Sequence, residues 1–173
     1  MRCFISINIP EEVRREIKKI QEQMPEFRGK KTEPENLHLT LKFLGEIDEQ
    51  VVGKVKEKLR GIKIEKFETE IDEMGIFSEK FIRIVWLHLK NCDALQKQID
   101  DALSDLFEKE RRFMSHLTIA RIKNIRDRKK FLEGIGKMKI EKTRFMIDRF
   151  YLMKSELTSE GPRYSVLEEY NLS

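Results

Sequence analysis

A chain of 173 residues is long enough for one domain or two small lobes sharing a core. Charged residues make up 38%, no apolar run nears the ~20 residues of a membrane span, and no leader-like stretch follows Met1, so the expectation is a protein that neither crosses a membrane nor carries a secretory signal. A net charge of +4 suits a polyanionic ligand without requiring one, and two cysteines, Cys3 and Cys92, offer neither a disulfide framework nor metal spacing, which points to a cytoplasmic setting.

In chain order, Cys3 to Ile9 reads as a buried strand. Pro10 then opens a helix with Glu11 and Glu12 in its first turn and Val13, Ile17, Ile20 and Met24 on one stripe. Pro25 to Pro34 reads as a polar loop, and Leu37 to Phe43 as a strand ended by Gly45. Asp48 is placed to cap a second helix that buries Val52, Val55 and Leu59. Strands are expected over Ile62 to Ile71 and, most strongly, Phe81 to Leu89, with a turn at Gly75. A helix from Asp93 to Phe107, a strand from Met114 to Arg121, and a helix from Asp127 to Met138 follow. Strands over Lys142 to Met153 and Arg163 to Tyr170, joined at Gly161-Pro162, close the chain.

The order β-α-β-α-β thus runs twice, and two landmarks share one spacing. His116 follows His38 by 78 residues, as Phe81 follows Cys3, which argues for an internal duplication. The expected fold is α+β, a single bilobal domain over residues 1–173. Its two lobes are related by a pseudo-two-fold, each with an antiparallel sheet, and the sheets face a central cleft.

The repeated element is His-Leu-Thr plus an aliphatic residue, at His38–Leu41 and His116–Ile119. Side chains two apart share a strand face. His38 and Thr40 therefore project together, as do His116 and Thr118, with leucine and isoleucine behind them. Two such faces opposed would line a cleft with two imidazoles and two hydroxyls. Near neutral pH one imidazole can accept a proton while the other donates one. In-line cleavage of a phosphodiester needs both acts on opposite sides of phosphorus. The threonine hydroxyls can donate to the non-bridging oxygens as charge builds. No metal or other cofactor is expected, since no cluster has ligand spacing.

These residues resemble the two-histidine (2H) phosphoesterases, in particular the RNA 2′,3′-cyclic phosphodiesterases, also called 2′-5′ RNA ligases. The resemblance runs through Phe4 to Pro10, Glu35 to Gly45, Gly75-Ile76-Phe77, Val85-Trp86, His116 to Arg121, and the tail with Ser155, Gly161 and Tyr164. It implies that His38 donates a proton to the leaving 3′ oxygen and that His116 acts on water as base. The implied substrate is RNA with a 2′,3′-cyclic phosphate end, opened to a 2′-phosphate; a monomer is expected. One departure is Ser115, where the family often has Pro before the second His.

Other residues carry two readings each. Lys42 shares the His38 face by alternation, and either touches phosphate or pairs with an acid. Arg121 closes the second motif, where phosphate binding is natural, yet strict alternation puts it opposite His116. The cluster Arg121, Lys123, Arg126, Arg128, Lys129, Lys130 either binds RNA phosphates or is solvated. Trp86 and Phe77 pack in the core or stack on a base. His88, with no following Thr, reads as structural or exposed. Three functions compete: cyclic phosphodiesterase, 2′-5′ RNA ligase using the same site, and non-catalytic RNA-binding module. Mere binding does not require a matched acid and base, so the third is the weakest.

Overall fold

Every strand pairing in the molecule is antiparallel. The computed structural model describes residues 1–173. The elements are β1 (Arg2–Asn8), α1 (Glu11–Glu22), β2 (Arg28–Lys31), β3 (His38–Glu46), α2 (Glu49–Arg60), β4 (Phe67–Ile76) and β5 (Ile84–Leu89). They continue with α3 (Asp93–Ala102), β6 (His116–Asn124), α4 (Arg128–Lys137), β7 (Thr143–Ile147), β8 (Arg149–Thr158) and β9 (Gly161–Asn171). Asp48 caps α2 by accepting from the Val51 amide at 2.8 Å, and Asp127 caps α4 through the Lys130 amide at 3.0 Å.

The strands form one curled sheet in the order β7-β4-β5-β6-β3-β1-β8-β9, with β2 paired to β6. The two halves of the sheet pair at Leu39 and Leu117. Those two residues are images of each other under the 78-residue spacing, so the pseudo-two-fold passes between them. Both are fully buried, and burying such a side chain stabilises by about 1.5–3 kcal/mol. On one face of the sheet, Leu37, Leu39 and Leu41 join Val13, Ile17, Val55, Leu95, Ile99 and Phe131 in one core. The opposite face lines the cleft.

The α+β expectation with two antiparallel lobes holds, with differences in detail. The third strand of the first repeat, β4, crosses to pair β5, while β8 returns to pair β1, so the repeats exchange strands. The expected loop before Pro34 contains β2, a short strand exposed throughout that no hydrophobic pattern marks. It fills the space beside β6 that β3 leaves as the lobes diverge. The strand expected over Ile62 to Ile71 runs instead from Phe67 to Ile76, and the helix from Asp93 ends at Ala102. Asp148 divides the expected strand Lys142–Met153 into β7 and β8, which lie in different lobes. Phe81 lies outside β5, so it is no landmark. By register Val85 opposite Ala120 matches Ile5 opposite Lys42, which makes the first strands' spacing 80.

The register also slips at the same point of each His-x-Thr strand. Ser6 pairs Thr40 and Ile5 pairs Lys42, leaving Leu41 extra; Trp86 pairs Thr118 and Val85 pairs Ala120, leaving Ile119 extra. A bulge at this point lets two successive residues face the same way. Leu41 and Lys42 are both buried, as are Ile119 and Ala120.

Candidate active site

The two bulges decide which side chains reach the cleft. A cavity of about 410 Å³ is lined by His38, Thr40, His116, Thr118, Arg121 and Phe43, among others. Strict alternation sends Arg121 away from His116, but the bulge at Ile119 brings it back into the cavity. The equivalent bulge at Leu41 delivers Phe43 to the cavity and turns Lys42 away from it. Lys42 as a phosphate ligand is therefore a correction. Its side chain is 2% exposed, and its ammonium donates to the Asp100 carboxylate at 2.5 Å and to the Glu108 carbonyl at 2.7 Å.

Each histidine is held in the same way. Nδ1 of His38 lies 2.7 Å from the Asn36 carbonyl, and Nδ1 of His116 lies 2.9 Å from the Met114 carbonyl. A carbonyl can only accept, so Nδ1 carries the proton in both rings. Nε2 is then the free nitrogen, a base when the ring is neutral and an acid when it is charged. The short 3₁₀ turn at Pro34–Asn36 presents the first of these carbonyls. On the Leu39–Leu117 register, Thr118 lies across from His38 and Thr40 across from His116. Neither threonine hydroxyl bonds to a protein group, so both are available to a ligand, whereas the buried Thr69 hydroxyl is spent on the Lys90 carbonyl at 2.6 Å.

Aromatic rings fix the imidazoles. His38 packs against Phe4 at 5.0 Å and meets Tyr164 edge-on at 5.1 Å, and His116 meets Phe77 edge-on at 5.0 Å. Burial pushes the pKa of His38 below the usual histidine value; the Asn36 bond opposes this, and the charges of Arg121 and His116 add to it. Burial raises the pKa of Tyr164, which stays a neutral phenol. Burial also raises the Cys3 thiol, so the cysteine lining the cavity is no thiolate nucleophile. Arg121 is in no ion pair, whereas Lys30, also at the cavity, is neutralised by Glu33 at 2.5 Å.

Trp86 is core, 7% exposed beside Gly75, where a Cβ would come within 2.7 Å of the indole. Phe77 is 54% exposed and touches His116 as well as Trp86, so it belongs to both settings. His88 lies outside the cavity, its Nδ1 2.6 Å from the Asp72 carboxylate. No three His, Cys, Asp or Glu side chains converge at ligand distance. Sequence reading missed Phe43 as a cavity residue and gave Tyr164 no role. Phe43 follows the bulge, which no pattern signals, and Tyr164 arrives from the last strand of the chain.

Comparison with known proteins agrees with this geometry. The family model described as LigT-like phosphoesterase matches residues 7–86 and 89–164. The chain is 40% identical to the RNA 2′,3′-cyclic phosphodiesterase of Methanocaldococcus jannaschii, over 98% of this chain and 100% of that one. It is 34% identical to the protein of that name from Methanothermobacter thermautotrophicus, over 99% of both chains. Its fold matches TT0787 of Thermus thermophilus with a TM-score of 0.82 at 25% identity, covering 99% and 97% of the two chains. A duplicated His-x-Thr strand, one cleft between two exchanged lobes, and these matches lead to one conclusion: the chain belongs to the LigT-like, two-histidine phosphoesterase family.

Proposed function

We propose that this protein hydrolyses the 2′,3′-cyclic phosphate end of RNA to a 2′-phosphate, by acid/base catalysis that needs no metal. The observation that carries the reading is the matched pair of imidazoles. Both are tethered at Nδ1 and line one cavity with two unpartnered threonine hydroxyls. Neutral His116 takes a proton from water through Nε2 as the water oxygen bonds to phosphorus. Protonated His38 gives its Nε2 proton to O3′ as the P–O3′ bond breaks, leaving a 2′-phosphate and a 3′-hydroxyl. The proton count closes, and the pair ends with its roles exchanged, ready to be reset by solvent. Thr40 and Thr118 donate to the non-bridging oxygens, and Arg121 offsets their charge.

In the free cleft burial, and after it the charges of Arg121 and His116, hold the His38 ring toward its neutral form. A phosphate anion in the cleft offsets the Arg121 charge and favours the charged ring that the acid role needs. Phe43, 65% exposed at the cavity, offers a flat face to the base. The deciding experiment incubates RNA ending in a 2′,3′-cyclic phosphate with the protein and EDTA, then identifies the product. A 2′-phosphate is expected. A 3′-phosphate product would reverse the assignment of the leaving oxygen, and loss of activity with EDTA, restored by a divalent ion, would replace the two-histidine chemistry with metal-bound hydroxide.

A further inference from the structure

A second concave surface adjoins the cavity and carries one sign of charge. Ile84 and Arg121, partners on β5 and β6, line the cavity; the next pair, Arg83 and Ile122, joined by a 2.7 Å backbone bond, line a groove of about 200 Å³. The boundary between them is one residue wide. Lys80, Arg83, Lys123 and Arg128 line the groove, no carboxylate does, and none of the four is in an ion pair. Phe81 stands in it with 72% of its surface exposed. Lys123 and Arg121 lie two apart on one strand, about 7 Å, near the spacing of successive phosphates on an extended single strand.

The helix at the groove adds an independent observation. The first turns of α1, α2 and α3 carry acids, which complement the positive end of a helix. The first turn of α4 carries Arg128, Lys129 and Lys130, and the acid at that end is the capping Asp127, which accepts from the Lys130 amide. Three cations to one carboxylate leave this helix start with a net positive charge, which suits an anionic partner.

We propose that this groove is the track for the RNA chain upstream of the cyclic phosphate. The proposal rests on the reading of the reaction given above. A 2′,3′-cyclic phosphate is the 3′ terminus, so every other nucleotide lies 5′ of it and must leave the cavity, and the adjoining groove offers that chain a surface lined by cations and no carboxylate. Cations spaced along β6 hold the phosphates, and Phe81 stacks on a base without regard to its identity. The ligand is single-stranded RNA longer than one nucleotide.

The test compares a 2′,3′-cyclic mononucleotide with a short RNA oligonucleotide bearing the same end. The triple variant Arg83→Gln/Lys123→Gln/Arg128→Gln is expected to raise KM for the oligonucleotide roughly tenfold or more and leave kcat and KM for the mononucleotide unchanged. The slope of log KM against log salt for the oligonucleotide should shrink by about 2, at ~0.7 for each phosphate that is no longer neutralised. Phe81→Ala should weaken the oligonucleotide alone. Fluorescence anisotropy with an uncleavable 3′-hydroxyl oligonucleotide reads the same groove without turnover. If the wild type cleaves neither substrate but binds this oligonucleotide with a slope the variant loses, the proposed reaction falls and the track stands. An unchanged slope and KM in the triple variant overturns the track. Polyglutamate competing as well as RNA also overturns it, since the groove would then serve an acidic protein.

Discussion

The strands β3 and β6 share one burial pattern, residue for residue, over nine positions, and one bulge, yet differ in the two side chains that follow the bulge. Lys42 occupies the buried position in the first and Ala120 in the second. Phe43 reaches the cavity from the first and Arg121 from the second. The anchors beneath differ too. Asp100 on α3 accepts from Lys42 and from the Glu110 amide, tying β3 to the loop that leads into His116. Gln21 on α1 donates to the Ile119 carbonyl, at the β6 bulge, and to the Thr32 carbonyl beyond β2. Each helix therefore secures the strand that carries its partner repeat's cleft residues. The two imidazoles occupy matching positions, and the different residues after the bulge make the cleft polar, with a cation on one side and an aromatic ring on the other. A nucleotide is itself asymmetric, and such a cleft can bind it in one direction.

The largest expected effect tests whether the two histidines do different things. His38→Ala and His116→Ala should each lower kcat by ~10²–10⁴-fold with the fold retained, and the double variant should lose little more, because the pair acts as a unit. In residual activity the losses should differ in shape. On the proposed assignment, loss of His38 should flatten the fall at high pH and loss of His116 the fall at low pH. Identical residual pH profiles would mean that the two strands are chemically equivalent and that the assigned polarity is wrong.

Next in size are the anchors. Lys42→Met leaves the Asp100 carboxylate buried without its cation and should cost about 3–5 kcal/mol of stability. Gln21→Leu leaves two carbonyls with one donor fewer and should cost about 1–3 kcal/mol. Urea unfolding measures both. A Gln21→Leu loss equal to or greater than that of Lys42→Met would show that the ionic anchor is not the stronger one.

The smallest effect concerns Arg121 and His38. Arg121 is one of the charges that keep the His38 pKa below its ordinary value, so Arg121→Gln should move it upward, as should adding a 2′-phosphate product to the wild type. NMR titration of the two ring protons reads this directly. The sign carries over to stability. Folding lowers this pKa, so the contribution of His38 is fully present above the unfolded value and is lost as pH falls through the folded one. His38→Gln should reduce that acid-side loss. A His38 ring that titrates identically with Gln at position 121 would separate the two charges and remove Arg121 from the control of the acid.

Much of this was readable from the chain. Leu37, Leu39 and Leu41 behind His38, and Leu117 and Ile119 behind His116, announce strands with one apolar face, because a period of two follows from backbone geometry alone. The histidines and threonines are local to those strands, so their shared face needed no knowledge of the rest of the fold. What lay beyond sequence was set by register between distant segments. A bulge is a slip of one strand against its neighbour, and it decided that Arg121 faces the cleft and Lys42 does not. Asp100 meets Lys42 across 58 residues, and Tyr164 reaches His38 from the last strand. The exposed strand β2 and the crossing of β4 likewise depend on which edge stands free after the lobes diverge. Local pattern sets which residues can do chemistry, because it sets faces. Tertiary pairing decides which of them meet, because only the assembled sheet fixes where each face is turned.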